Sequence, residues 1–185
     1  MFGTRSGFTL IELVVVIAIV GLLTTIIIPR LGQRDPKKQR EQFVAGINAL
    51  IRRATIDAVI ANKMQKVVID IAQRHISVLQ QTAKKDTQGE WIYAPSKKSY
   101  AQKPLSIPSR YTIQNVIVEG FDEMARMAGG TTTSVWFYIM PQGLAQSVTI
   151  NMLDHTGAPR GSRGYPIGLV LNPLTVQFRM YNALQ

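Results

Sequence analysis

The chain has 185 residues, 46% of them hydrophobic, which is enough for one packed domain plus an accessory segment and too apolar for a disordered chain. Lys and Arg outnumber Asp and Glu by 21 to 11, a formal charge of +10 that points to anionic partners such as lipid headgroups, nucleic acid or an acidic protein surface. The absence of cysteine excludes disulfides and thiolate metal sites.

The first element is "FTLIELVVVIAIVGLLTTIII", residues 8–28, an apolar run with a single charge, Glu12. At about 1.5 Å per residue it makes roughly 31 Å of helix, close to the hydrocarbon thickness of a bilayer. No small-residue cleavage site follows it, which argues against an ordinary secretory signal. A carboxylate at mid-bilayer costs on the order of 3 kcal/mol and is usually kept for a partner or a function. Near the interface and the positive end of the helix dipole, Glu12 is alternatively just a tolerated residue. A cut between Gly7 and Phe8 would create an α-amine four positions before Glu12 on the same helical face. Within one helix that amine is about 6 Å away along the axis. In a staggered bundle a neighbouring chain's amine comes closer, and Glu12 becomes a register device between subunits. Two helix breakers follow, Gly21 and Pro29, the latter lacking the amide that would bond back to residue 25.

The stretch "RSGFTLIELVVVIAIVGLLTTIIIP" resembles the prepilin signature of type IV pilins and type II secretion pseudopilins. The resemblance implies a leader over residues 1–7, a transmembrane and filament-core helix over 8–31, and an extracytoplasmic head over 32–185. It implies that a membrane aspartic peptidase, the prepilin peptidase, cuts after Gly7 on the cytoplasmic side and methylates the amine of Phe8. It also implies that Glu12 pairs with a neighbouring subunit's amine during filament assembly, and that the helix can melt between Gly21 and Pro29. Localisation follows: a single pass of the bacterial inner membrane, N-terminus cytoplasmic, head periplasmic or otherwise extracytoplasmic. The excess of Arg30, Arg34, Lys37, Lys38 and Arg40 after the span over Arg5 before it points the other way by the positive-inside rule. The resemblance decides the orientation, because the leader processing it implies requires a cytoplasmic N-terminus.

After the span, Asp35 and Pro36 read as an N-cap with proline in the first helical position. Phe43, Val44, Ile47, Leu50, Ile51, Ala54 and Ala58 recur at spacings of three and four, one apolar stripe suited to packing on a sheet. "KVVIDI" (66–71) and "HISVLQ" (75–80) predict a hairpin. Residues 81–109, with Lys84, Lys85, Lys97, Lys98 and Lys103 among Trp91, Tyr93 and Tyr100, predict a long polar loop with a short strand near Trp91. Further strands are expected at 111–119, 134–140, 146–153, 168–171 and 175–181, with a short helix at 121–128 closed by "GG".

The expected class is therefore α+β: a long N-terminal helix, membrane-spanning in its first half, packed on a mainly antiparallel, pilin-like head. "MPQG" (140–143) and "DHTGAPRGSRG" (154–164), each between strands, resemble the head of GspH/FimT-like minor pseudopilins. No catalytic motif is present: no HExxH, GxSxG or Walker-type loop. His75 reads as a sheet residue and His155, beside Asp154, as a turn residue. "GAPRGSRG", with Arg160 and Arg163, reads as a hairpin loop before a phosphate cradle. The acidic residues are scattered, so neither a metal nor a cofactor is expected. The leading reading is a non-enzymatic structural subunit, a minor pseudopilin of a type II secretion pseudopilus. Its partners are other pseudopilins or pilins, the prepilin peptidase, the inner membrane and secreted protein cargo. The alternative is a DNA-binding minor pilin of a type IV pilus or competence system, with Lys84, Lys85, Lys97 and Lys98 on phosphates and the aromatics stacking bases.

Overall fold

The computed structural model describes residues 9–31, 35–96, 103–126, 133–159 and 161–185, and for residues 24–31 the backbone alone. The chain divides into two compact units, Met1–Gln39 and Arg40–Gln185.

In the first unit, helix α1 runs over Leu10–Leu31. A second helix, α2 (Pro36–Ala61), starts there and continues into the second unit. Its start is the expected one: the Lys37 amide donates to Asp35 Oδ1 at 2.9 Å, and the Gln39 amide to the Asp35 carbonyl at 3.1 Å. Its end is a Schellman turn. Asn62 takes φ 50°, the Lys63 amide reaches the Ala58 carbonyl and the Asn62 amide that of Val59, which satisfies carbonyls the last turn leaves open.

The second unit places α2 with two antiparallel sheets. The first sheet has the order β3 (Trp91–Ala94), β2 (His75–Lys85), β1 (Gln65–Asp70), β7 (Ser134–Ile139), with β4 (Leu105–Ser106) on the start of β2. The second has the order β10 (Gln177–Tyr181), β9 (Tyr165–Asn172), β8 (Val148–Asp154), β5 (Tyr111–Val118), β6 (Phe121–Asp122). The alternation of Val67 and Ile69 in β1, Val135, Phe137 and Ile139 in β7, and Val148, Ile150 and Met152 in β8 turns one face of each sheet inward. From α2, the buried residues Phe43, Ile47, Leu50, Ile51, Ala54 and Ala58 join that same core. Aromatic pairs tie the layers: Phe43 to Tyr111 at 4.9 Å and, edge to face across the two sheets, Phe137 to Phe178 at 6.4 Å. The α+β class with an antiparallel head is as expected.

Three expectations change. Strand β2 runs five residues past Gln80, to Lys85, and pairs with β3 through a register shift between Gln81 and Lys85, where a loop was expected. The polar residues there are ordered by the backbone ladder, which an apolar pattern does not reveal. Strand β9 begins at Tyr165, earlier than residue 168, and runs through Pro166 and Gly168. The expected helix over 121–128 is a short strand, β6, joined to β5 by a two-residue turn with φ 52° at Glu119 and 85° at Gly120. One helical turn follows, α3 (Glu123–Arg126), whose first amides bond to Asp122 Oδ1. Residues 127–130, and with them the "GG" stop, lie outside the described residues.

Candidate functional site at the start of the N-terminal helix

Thr9 and Glu12 form a capping box. Glu12 Oε2 accepts from the Thr9 amide at 3.3 Å and from the Thr9 hydroxyl at 3.2 Å, while the Glu12 amide donates back to Thr9 Oγ1 at 3.3 Å. The Leu13 amide closes the first helical bond, to the Thr9 carbonyl. Glu12 therefore has a local task, holding the first turn of α1 with its negative charge at the positive end of the helix dipole. Attention to the charge overlooked Thr9, although the spacing T-x-x-E was visible in the sequence.

Beyond the box, every described side chain of α1 is exposed, from Leu10 at 83% to Leu23 at 52%, on all sides of the helix. A helix that is apolar all round is stable only when something covers it. Gly21 sits in this stretch, and a Cβ there would meet nothing within 4 Å. Pro29 lies within the helical backbone of α1, and Gly7 and Phe8 lie outside the described residues. Among the described residues no helix is long and apolar enough to cross a membrane, the described side chains of α1 ending at Leu23.

In the head, Lys84 and Lys85 end β2 in exposed positions, and Lys97 and Lys98 lie outside the described residues, as does Tyr100. Lys85 Nζ stands 4.7 Å from the Trp91 ring and Lys66 Nζ 5.6 Å from that of Tyr93, so both rings face cations of their own chain. His75 opens β2, as expected for a sheet residue; His155 is exposed after β8, with Nε2 3.0 Å from the Thr112 hydroxyl. Asp154 and Tyr165 pair directly, so "HTGAPRGSRG" is a hairpin loop, with Arg160 outside the described residues. Among the described residues no three His, Asp or Glu side chains gather to hold a metal.

Asp154 is the head's notable charge and was missed by sequence reasoning. It is fully buried at the end of β8; Arg40 Nε of α2 donates to Oδ2 at 2.5 Å, and the Thr156 hydroxyl and amide donate to Oδ1 at 2.6 and 2.9 Å. Burial pushes its carboxyl up, but the Thr156 and Arg40 hydrogen bonds outweigh this and hold it below the ordinary carboxylate value. The Arg40 guanidinium also lies 5.7 Å from the Tyr165 ring. This pair fixes α2 to the second sheet.

Comparison with known proteins places the recognisable signal at the N-terminus. Residues 3–28 match the family model described as the prokaryotic N-terminal methylation motif. No curated protein gives a significant match to the sequence. Two solved structures of the minor pseudopilin EpsH from the type II secretion system of Vibrio cholerae are similar to the chain. One is 11% identical at TM-score 0.48, covering 77% of this chain and 95% of that one. The other is 13% identical at TM-score 0.47, with 77% and 92% covered.

Proposed function

We propose that this chain, whose residues 3–28 carry the prokaryotic N-terminal methylation motif, is a minor pseudopilin: a structural subunit of a type II secretion pseudopilus, assembled from the inner membrane to support protein export. One observation carries the reading, namely that this motif sits on a helix whose described apolar side chains are all left uncovered by its own unit. The finer assignment is supported by the loops "MPQG" and "DHTGAPRGSRG", which resemble those of GspH/FimT-like heads.

In this reading residues 1–7 are a cytoplasmic leader, residues 8–31 pass once through the inner membrane and then enter the filament core, and residues 32–185 form the extracytoplasmic head. The role is assembly and not catalysis. A prepilin peptidase cuts after Gly7 and methylates Phe8. Thr9 stays on the mature chain, so the capping box survives the cut. A carboxylate accepts at two oxygens, and the box uses Oε2, so Glu12 can hold its own first turn and also meet the amine of a neighbouring subunit. Gly21 and Pro29 lower the cost of stretching the helix between them, glycine by about 1 kcal/mol of helix propensity and proline by its missing amide. Partners are then other pseudopilins, the peptidase and exported cargo.

The test is coexpression of the full chain with a prepilin peptidase. Mass spectrometry should show loss of residues 1–7 and an N-methylated Phe8, and Gly7→Val should block both. An intact leader in assembled protein contradicts the proposal.

A further inference from the structure

Sheet faces that look outward carry exposed side chains, yet Asn151, at an outward position of β8 between the inward Ile150 and Met152, is only 3% exposed. Residues 183–185 cover it. Both bonds of its carboxamide go to one residue's main chain: Nδ2 donates to the Gln185 carbonyl at 2.8 Å, and Oδ1 accepts from the Gln185 amide at 2.9 Å. Side-chain amides read main chain in this two-point way whatever side chain the bound residue carries, because only its N–H and C=O are used.

The neighbouring strand is shaped for the same task. Gly168 of β9 pairs directly with Asn151, and a Cβ built there would lie 2.7 Å from the Ala183 carbonyl oxygen and 2.7 Å from Gln185 Cγ. Gly168 has an ordinary φ, so glycine stands there for close approach of a second backbone and not for turn geometry. On the other side of Asn151, Asn115 of β5 is its direct cross-strand partner. Asn115 Oδ1 is buried and has no hydrogen-bond donor among the described residues. A buried acceptor without a donor costs free energy that a further N–H would recover.

We propose that Asn115, Asn151 and Gly168 form a main-chain acceptor site for an extended peptide on the outward face of the second sheet, held shut in cis by residues 183–185. The ligand class is an extended segment of protein chain, with little demand on side-chain identity at the clamped residue. The cis segment has the advantage of a tether, which sets an effective concentration in the millimolar range. Beyond Tyr181, the end of β10, residues 182–185 are otherwise exposed, so release of the two Gln185 bonds to Asn151 opens the site.

The experiment compares the full chain in detergent with a version ending at Tyr181, titrating each with the peptide acetyl-Asn-Ala-Leu-Gln-amide. Binding is read by NMR from the Asn151 side-chain amide and the Gly168 backbone amide. The shortened chain should bind at least tenfold more tightly than the parent, and Gly168→Val in the shortened chain should abolish the shifts. Gln185→Pro, which keeps the length but removes the N–H that Asn151 accepts, should raise peptide affinity in the same direction, and it supplies the test if the shortened chain loses its dispersed spectrum. Equal affinity in parent and opened chains, no binding to a folded opened chain, or binding that survives Asn151→Leu overturns the proposal.

Discussion

Two helices of similar length in one chain treat their apolar residues in opposite ways. From Arg40 onward, α2 buries Phe43, Ile47, Leu50, Ile51, Ala54 and Ala58 in the head core. In α1 the described side chains Leu10, Ile11, Leu13, Val14, Val15, Val16, Ile17, Ile19, Val20, Leu22 and Leu23 are all exposed. The difference is in sequence period: α2 has a stripe at spacings of three and four, and α1 has no polar face at all. A striped helix finds its partner within its own unit, whereas an all-round apolar one needs lipid or other chains. On the proposed function, folding and assembly are thus carried by different residues, and mutations should separate them.

The largest effect on folding should come from the buried ion pair. Arg40→Leu leaves Asp154 fully buried without its cation, a kind of change that typically costs about 3 to 5 kcal/mol. Chemical denaturation should show the midpoint falling with the slope unchanged. Next comes a direct contrast between the helices. Ile51→Ala, at a fully buried position of the head, should destabilise by about 3 kcal/mol, while Val16→Ala, at a 47% exposed position of α1, should leave head unfolding within about 0.5 kcal/mol of the parent. Equal losses from both would erase the distinction.

Asp154 also predicts a pH dependence. Its carboxyl is held below the ordinary value in the folded head, so the unfolded chain binds the proton more readily. The stability it contributes is fully present above the unfolded value of about 3.9 and is lost as pH falls through the lower folded value. Asp154→Asn should flatten that part of the acid limb in denaturation measured between neutral pH and strong acid. The smallest effect belongs to the cap: Thr9→Val removes the hydroxyl of the capping box and should cost about 1 kcal/mol of local helix stability, seen as faster amide exchange near Glu12 and Leu13 with the head unaffected.

Much of this contrast was readable before any coordinates. The stripe of α2, its Asp35 cap and the single charge of the apolar run 8–28 are local patterns, legible from neighbouring residues alone. What escaped reading was either polar or distant in sequence. The outer half of β2 is held by backbone pairing of Gln81 and Lys85 with Tyr93 and Trp91 of the expected short strand β3, where no apolar alternation extends β2 past Gln80. Asp154 finds Arg40 across 114 residues and Asn151 finds Gln185 across 34, distances at which no spacing rule operates. The close approach at Gly168 has no local signal, because the backbone it admits belongs to another segment. Thr9 is a different case, since its signal was present and local but overshadowed by the charge beside it.

The claim that α1 serves assembly is tested most directly by Glu12→Gln. Glutamine still completes a capping box, so the first turn of α1 keeps its bonds to Thr9 while the charge is gone. The measurement is disulfide crosslinking through a single cysteine placed at Val16 of the otherwise cysteine-free chain, to partner subunits carrying a cysteine in the same helix, scored beside membrane fractionation and leader removal. Insertion should be at least as efficient as in the parent, because an unfavourable transfer contribution has been removed, and cleavage after Gly7 should persist. On the proposed pairing, crosslinking should fall at least tenfold, since the neighbour's amine would be left without its anion. Crosslinking at the parental level would show that Glu12 is a cap and nothing more, and would contradict the account.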